Sequence, residues 1–465
     1  MQLSNEEEDY NLSLSKFESM LKTNKVLFFD SEEFEEIILH YLDMGKAALA
    51  KKALKLALEQ HPKSTGLKLV QVEMLVYDDK LELAEKLLNE LYAIEPTNEE
   101  IYIQKANICS KRDQHQKAVE LLKIALKYTD DYADVYNLIG MEHLFMDNLE
   151  MAKESFIKCL EEDLEDQSAL YNVVYCFEFL DQNQDAISYL QKYIDKNPYS
   201  EIAWHQLGRL HYGVKEYESA IRAFDFATLI DDEFLGAFME KAKAYERLKK
   251  YTEAIESYTR TIELDDATSY ALLRMGKCHE KLGNKALALK YFNQTVHEDP
   301  LLDKGWIAIT DFYVRLKNYQ KALFFVNKAL AIDNQNRLYW KRYASINKQM
   351  NFFEEAEFGY RKAVEFGETG LETWLFWVDI LQLLGEFESA IQTLLQASEY
   401  FPEENEIEYR LAGLYFMLTD TTKAKFHLSN ALRLNFDNYV LLEDLFPVVW
   451  TKKMVQNYIT KHKKQ

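Results

Sequence analysis

Counted in windows of 34 residues from Ser31, apolar side chains recur at positions 4, 7, 8 and 11, and again at 17, 20, 21, 24, 27 and 28. Steps of three and four keep each run on one face of a helix, so every window predicts two amphipathic α-helices. Gly, Asp, Asn or Lys near position 15 predicts a short turn between them, as at Gly45, Asp113, Asp147, Asp181, Gly283, Asn351 and Gly385. Five of the six prolines (Pro62, Pro96, Pro198, Pro300, Pro402) fall at position 32. A residue without an N–H there ends the second helix or opens the next pair. Asp130, Asp232, Asp266 and Asn334 fill the same column in other windows.

The register is carried by short phrases: KEYESAIRAF at 215–224 returns as KKYTEAIESY at 249–258, KNYQKALFFV at 317–326 and GEFESAIQTL at 385–394. Position 20 is alanine in twelve consecutive windows, from Ala50 to Ala424, without an insertion or deletion. Position 4 is aromatic in eight (Phe34, Tyr102, Tyr136, Trp204, Phe238, Trp306, Trp340, Trp374), and position 27 is Ala in seven. Mostly small residues at 8 and 20 let the two helices approach closely, and a bulky residue at 24 fills the gap beside them. A helical pair of this size buries its apolar face only against its neighbours, so the same solution is needed at every step. The expected organisation is an N-terminal capping segment over 1–30, around LSKFESMLK, and twelve repeats over 31–438. A closing helix over 439–465 follows, broken at Pro447 and ending in the basic KHKKQ.

On these residues the chain resembles the tetratricopeptide repeat family. Its pattern W-x2-L-G-x2-Y, then A, F, A and P, is nearly complete at Trp204, Leu207, Gly208, Ala220, Phe224 and Ala227. His211 stands for the tyrosine and Asp232 for the proline. Repeat 2, with Lys68 and Gln71, and repeat 12, with Glu408 at position 4, are weaker copies. The resemblance implies an all-α fold, an α-solenoid wound as a right-handed superhelix of antiparallel helix pairs. It also implies that first helices line the concave side, with ligand-facing residues at positions 2, 5, 9, 12 and 13.

Composition narrows the function. Hydrophobic residues make up 48% of the 465 and charged residues 28%, which describes a folded chain, and 14 Gly with 6 Pro favour helices over β-turns. A net charge of −22 opposes general nucleic-acid binding, which depends on phosphate neutralisation. No run of about 18 apolar residues is present, so no membrane insertion is expected. The acidic start, MQLSNEEEDYNLSLSKF, does not read as a secretory signal. Cys109, Cys159, Cys176 and Cys278 show no CxxC spacing, and buried free thiols in a reducing, cytoplasmic setting are the expectation. No P-loop, GxSxG, HExxH or GxGxxG motif occurs, and neither an enzyme activity nor a cofactor is expected.

Against the acidic total, residues 269–370 hold sixteen Lys and Arg against eleven Asp and Glu. Position 9 is Arg209, Lys243 and Lys277 in repeats 6, 7 and 8, and position 13 is Arg247, Lys281 and Arg315 in repeats 7, 8 and 9. With Arg274 nearby they make a ladder that one extended acidic chain could follow. Tyr171, Tyr175 and Phe179, with Met141 and Phe145, form a second candidate patch, of apolar anchors. Asn172 and Arg274 match single slots of the carboxylate clamp found in chaperone-adaptor members, but the set is incomplete. His143, His211 and His279 share position 11, where other repeats have Phe177, Tyr245 and Tyr313, and read as aromatic stand-ins at helix contacts. The expected function is a non-enzymatic scaffold that binds an extended acidic or amphipathic segment of a partner protein in the concave groove. The alternative is a structural subunit of a larger assembly that uses the convex face or the terminal repeats. Nothing in the sequence fixes an oligomeric state.

Overall fold

In the computed structural model, described over residues 13–22, 27–264 and 268–462, the helices follow the hydrophobic register. First helices begin at Ser31, Thr65, Glu99, Gln167, Glu201, Leu235, Ser269, Asp303, Arg337, Leu371 and Asn405. The fourth begins at Tyr132, one residue before its window opens. Residues 1–12 of the expected N-terminal cap, Asp266 of the position-32 column and the end of the KHKKQ tail lie outside the described residues.

The protein is an all-α solenoid, and its contacts divide it into two compact units, Met1–Asp232 and Glu233–Gln465. The N-terminal unit runs from a helix at 13–22 through the pair Ser31–Asp43 and Ala47–Gln60 to the pair Glu201–Gly213 and Tyr217–Ile230. The C-terminal unit runs from Leu235–Arg247 and Tyr251–Leu264 to Asn405–Met417 and Thr421–Leu434. It ends in three short helices, Val440–Leu445, Pro447–Trp450 and Lys453–His462. Pro447 opens the second of these at the first helical position, where its missing N–H costs nothing.

Three columns explain why each window folds alike. All twelve position-20 alanines are completely buried where the paired helices cross. Facing them, positions 8 and 24 compensate in size. Gly140, Gly208 and Gly276 lie against Phe156, Phe224 and Phe292, and a methyl added at each glycine would sit 2.4–2.5 Å from the ring. Where position 24 is the smaller Leu122 or Leu428, position 8 grows to Ala106 or Ala412.

Position 15 has a positive φ in every window, between 56° at Asp113 and 80° at Gly283, which turns the chain from first helix to second. Position 4 is tied to position 32 of the preceding window. Trp204 Nε1 donates to the carbonyl of Pro198 at 2.9 Å, Trp306 to Pro300 at 2.9 Å and Trp340 to Asn334 at 2.8 Å, and the Tyr102 hydroxyl donates to Pro96.

Candidate partner-binding faces

First helices carry the side chains singled out above, and the two units divide them. Arg209 and the aromatic patch belong to the N-terminal unit; Lys243, Arg247, Arg274, Lys277, Lys281 and Arg315 belong to the C-terminal one.

In the C-terminal unit several of the cations already hold carboxylates. Arg274 grips Glu246 of the preceding first helix through two hydrogen bonds, Nε to Oε1 at 2.8 Å and Nη2 to Oε2 at 2.5 Å. Glu246 also accepts from the Tyr258 hydroxyl at 2.7 Å. Burial opposes the charge on Arg274, but the Glu246 bonds outweigh it and raise its pKa. The same joint recurs every second window: Arg342 holds Asp311 at 2.8 and 3.2 Å, and Arg410 holds Asp379 at 2.6 Å. Arg315 pairs with Glu280 one window back. The Arg274 and Arg342 pairs are bidentate and the other two single, and all four clamp neighbouring first helices to one another.

Lys277 differs. It lines a cavity of about 340 Å³ together with Glu246, Arg274, Glu280, Asp311 and Arg315, and makes no ion pair among the described residues. Burial and the adjacent Arg274 guanidinium hold its ammonium below the usual lysine range, with Glu246 and Asp311 offsetting part of the effect. Lys281, one turn on, is exposed and makes no ion pair among the described residues. Lys243 lies over the Tyr270 ring, 5.5 Å from its centroid. Arg247 is exposed at the end of its helix.

In the N-terminal unit Tyr171, Tyr175 and Phe179 are 42%, 43% and 66% exposed, large values for aromatic side chains. Tyr175 and Phe179 pack on each other with ring centroids 4.4 Å apart, one helical turn along the same face. Phe145 is exposed and stacks on His115 at 5.2 Å. Arg209 is braced within its own face: Nη1 donates to Gln206 at 2.7 Å, and Nη2 lies 3.6 Å from Glu178.

The N-terminal unit also carries a feature the sequence reading missed. Glu73 at position 9, Glu100 at position 2 and Asp134 at position 2 stand on three successive first helices. None of them forms an ion pair among the described residues. Glu100 is half-buried while Glu73 and Asp134 keep exposed side chains, yet partial loss of water among the packed helices raises the pKa of each. Repulsion adds to it, Glu73 from Glu100 and Asp43, Glu100 from Asp134 and Glu99, and Asp134 from Asp131 and Asp166. For Glu100, a hydrogen bond from Gln104 works the other way. Acidic residues at ligand-facing positions in consecutive windows were a signal available in the sequence.

The position-11 histidines pack inside helix contacts. His143 is buried, His211 bonds Glu216 at 2.8 Å, and His279 stacks on Tyr291 at 5.2 Å and 5°. Burial pushes the thiols of Cys159 and Cys278 up to about 12 and that of Cys176 to about 11, so all three are inert packing groups at neutral pH. Among the described residues no helix is long and apolar enough to cross a membrane.

Comparison with known proteins agrees with this architecture. Family models for the tetratricopeptide repeat match residues 75–141, 133–166, 168–200, 205–268 and 239–303. Anaphase-promoting complex subunit 3 of Schizosaccharomyces pombe is 26% identical over 157 residues, 34% of this chain. The match spans 24% of that relative, about a quarter of its length. Among solved structures, a tetratricopeptide repeat protein from Parabacteroides merdae is 15% identical with a TM-score of 0.40, covering 54% of this chain and 99% of its own. YrrB, a TPR protein with an unusual peptide-binding site, is 22% identical with a TM-score of 0.31, covering 40% and 95%.

Proposed function

This chain is a tetratricopeptide-repeat protein, and from that premise we propose that its C-terminal unit holds an extended acidic segment of a partner protein along its first helices. The repeat family supports a protein-interaction scaffold, and its fold is typically non-catalytic. The observation that carries the finer reading is Lys277. Its neighbours Arg274 and Arg315 are committed to Glu246 and Glu280, whereas Lys277 lines the same cavity without an ion pair among the described residues. A partner carboxylate entering there gains a half-buried, incompletely compensated cation, where screening is weaker than at an open surface. Lys281 and Lys243 extend the attraction along the same face, and the Arg–carboxylate joints beside them hold the first helices in place. Tyr171, Tyr175 and Phe179 offer apolar anchors in the N-terminal unit to a partner's side chains.

The same reading takes residues 31–438 as the repeat array, with 1–30 and 439–465 closing its ends. Phe17 packs against Phe29 and Phe34, and Phe446 lies over Gly413 on the last first helix, which supports caps at both places. Capture from a native lysate tests the proposal. Protein carrying Lys243→Glu, Lys277→Glu and Lys281→Glu, with unchanged helicity, is expected to lose a partner that the wild type retains. An identical set of captured proteins would defeat it. The second reading, a structural subunit of a larger assembly, draws on exposed second-helix residues such as Leu229, Phe324 and Phe426, and predicts capture that ignores these lysines.

A further inference from the structure

We infer that the first helices of the N-terminal unit form a second docking face, of opposite sign, for a lysine- or arginine-bearing extended segment of a partner protein. The inference rests on the scaffold reading and not on the Lys277 cavity.

Three observations carry it. The first is placement. Glu73, Glu100 and Asp134 occupy positions 9, 2 and 2 of consecutive first helices, so the negative charge steps from helix to helix along one side of the unit. Glu73 is close enough to Glu100, and Glu100 to Asp134, for each pair to repel. Lys111, at position 13 of the helix that bears Glu100, pairs with none of them. An array of like charges that is left without a counter-charge is held at an electrostatic cost, which a cationic ligand would relieve.

The second observation is independent of charge. Gln104 lies one turn beyond Glu100 and is only 4% exposed. Its amide nitrogen donates to Glu100 Oε1 at 2.8 Å, but its carbonyl oxygen has no hydrogen-bond partner. Asn137 Oδ1, on the next first helix, is likewise buried without a partner. Buried acceptors are almost always satisfied, and these two face a shortage of donors. A guanidinium or ammonium supplies several N–H donors with a positive charge, which suits orphan acceptors beside carboxylates.

The third is the charge of the whole unit. Residues 1–232 hold 45 acidic and 24 basic side chains, a net of −21, so nearly all of the −22 resides there; residues 233–465 hold 32 and 31. Long-range attraction therefore steers a basic segment toward the N-terminal unit and an acidic one away from it.

The test uses the full chain and a fluorescein-labelled GRGRGRGRG peptide, followed by anisotropy at physiological salt. The wild type should bind it saturably. Glu73→Gln, Glu100→Gln and Asp134→Asn together should weaken binding about tenfold or more. Glu154→Gln, Glu161→Gln and Glu162→Gln, which remove equal charge from the second helix of the fourth pair, should change it less than twofold. Circular dichroism checks the fold, and Asp134→Asn alone, on an exposed side chain, should give a partial loss even if the triple variant misfolds. Equal weakening in both triple variants, or no saturable binding by the wild type, overturns the inference. If a GEGEGEGEG probe still binds through Lys277 while the arginine peptide does not, this face falls and the C-terminal one stands.

Discussion

Gly208 shows how much one atom decides. A methyl there would meet the Phe224 ring at 2.4 Å, closer than packed carbons approach. Gly208→Ala should therefore destabilise the protein by about 1–3 kcal/mol, the usual cost of overpacking. Adding Phe224→Leu should recover most of that loss, because an Ala–Leu pair already fills these positions at Ala106 and Leu122. Urea denaturation of the single and double variants reads both effects, and additive losses would contradict the size-compensation account. The columns at 8, 20 and 24 were legible because volume repeats in register. The carboxylates were less so: Glu73, Glu100 and Asp134 do not share one column, and only the fold shows that none forms an ion pair among the described residues. Their raised pKa values give a sign. Ionisation costs more in the folded chain than in the unfolded one, so on acidification the native chain takes up these protons before the unfolded chain does. Stability from them thus rises as pH falls from 7 toward the ordinary Glu value of 4.5. Thermal melts should show the wild type gaining on the Glu73→Gln, Glu100→Gln, Asp134→Asn variant across that window, with the variant ahead at pH 7.

At the scale of the helix pair, the turn and the inter-window hydrogen bond do the organising. The sequence marked position 15 as a turn, yet Lys215, Lys249, Lys317 and Thr419 adopt the left-handed backbone as well as the glycines do. A β-branched residue is strained there, with φ 63° at Thr419, so Thr419→Gly should raise stability by about 1 kcal/mol despite the entropy glycine adds to the unfolded chain. An unchanged or lower midpoint in urea would count against strain at that turn. Position 4 was read as an apolar column, and it packs as one. Its N–H and O–H donors also reach the carbonyl at position 32, a link that needs the geometry of the intervening turn. Trp306→Phe keeps the packing and loses the bond to Pro300, for an expected cost of about 1 kcal/mol. The arginine joints were hidden for another reason. Arg274, Arg342 and Arg410 recur every second window, so a search for features shared by all windows passes over them. A search at 68 residues, with an acidic residue at position 9 or 12 one window earlier, finds them.

For the molecule as a whole, charge is divided more sharply than its total implies. The ladder read as a continuous run of cations is distributed over two compact units, with Arg209 braced by Glu178 in the acidic one. In the near-neutral unit Arg274 and Arg315 serve as internal struts, while Arg247 and Lys281 are exposed and Lys277 makes no ion pair among the described residues. A scaffold with one face for acidic segments and another for basic ones could hold two partners at once, each by a few anchors rather than by bulk area. Photo-crosslinking tests most directly whether first helices do the binding. With p-benzoylphenylalanine in place of Lys281 on a first helix, or of Phe324 on a second helix, the full chain is irradiated in native lysate. Cross-links from Lys281 to an acidic stretch of a partner, with none from Phe324, are the predicted result. Cross-links from Phe324 alone would contradict it and assign the work to the second helices.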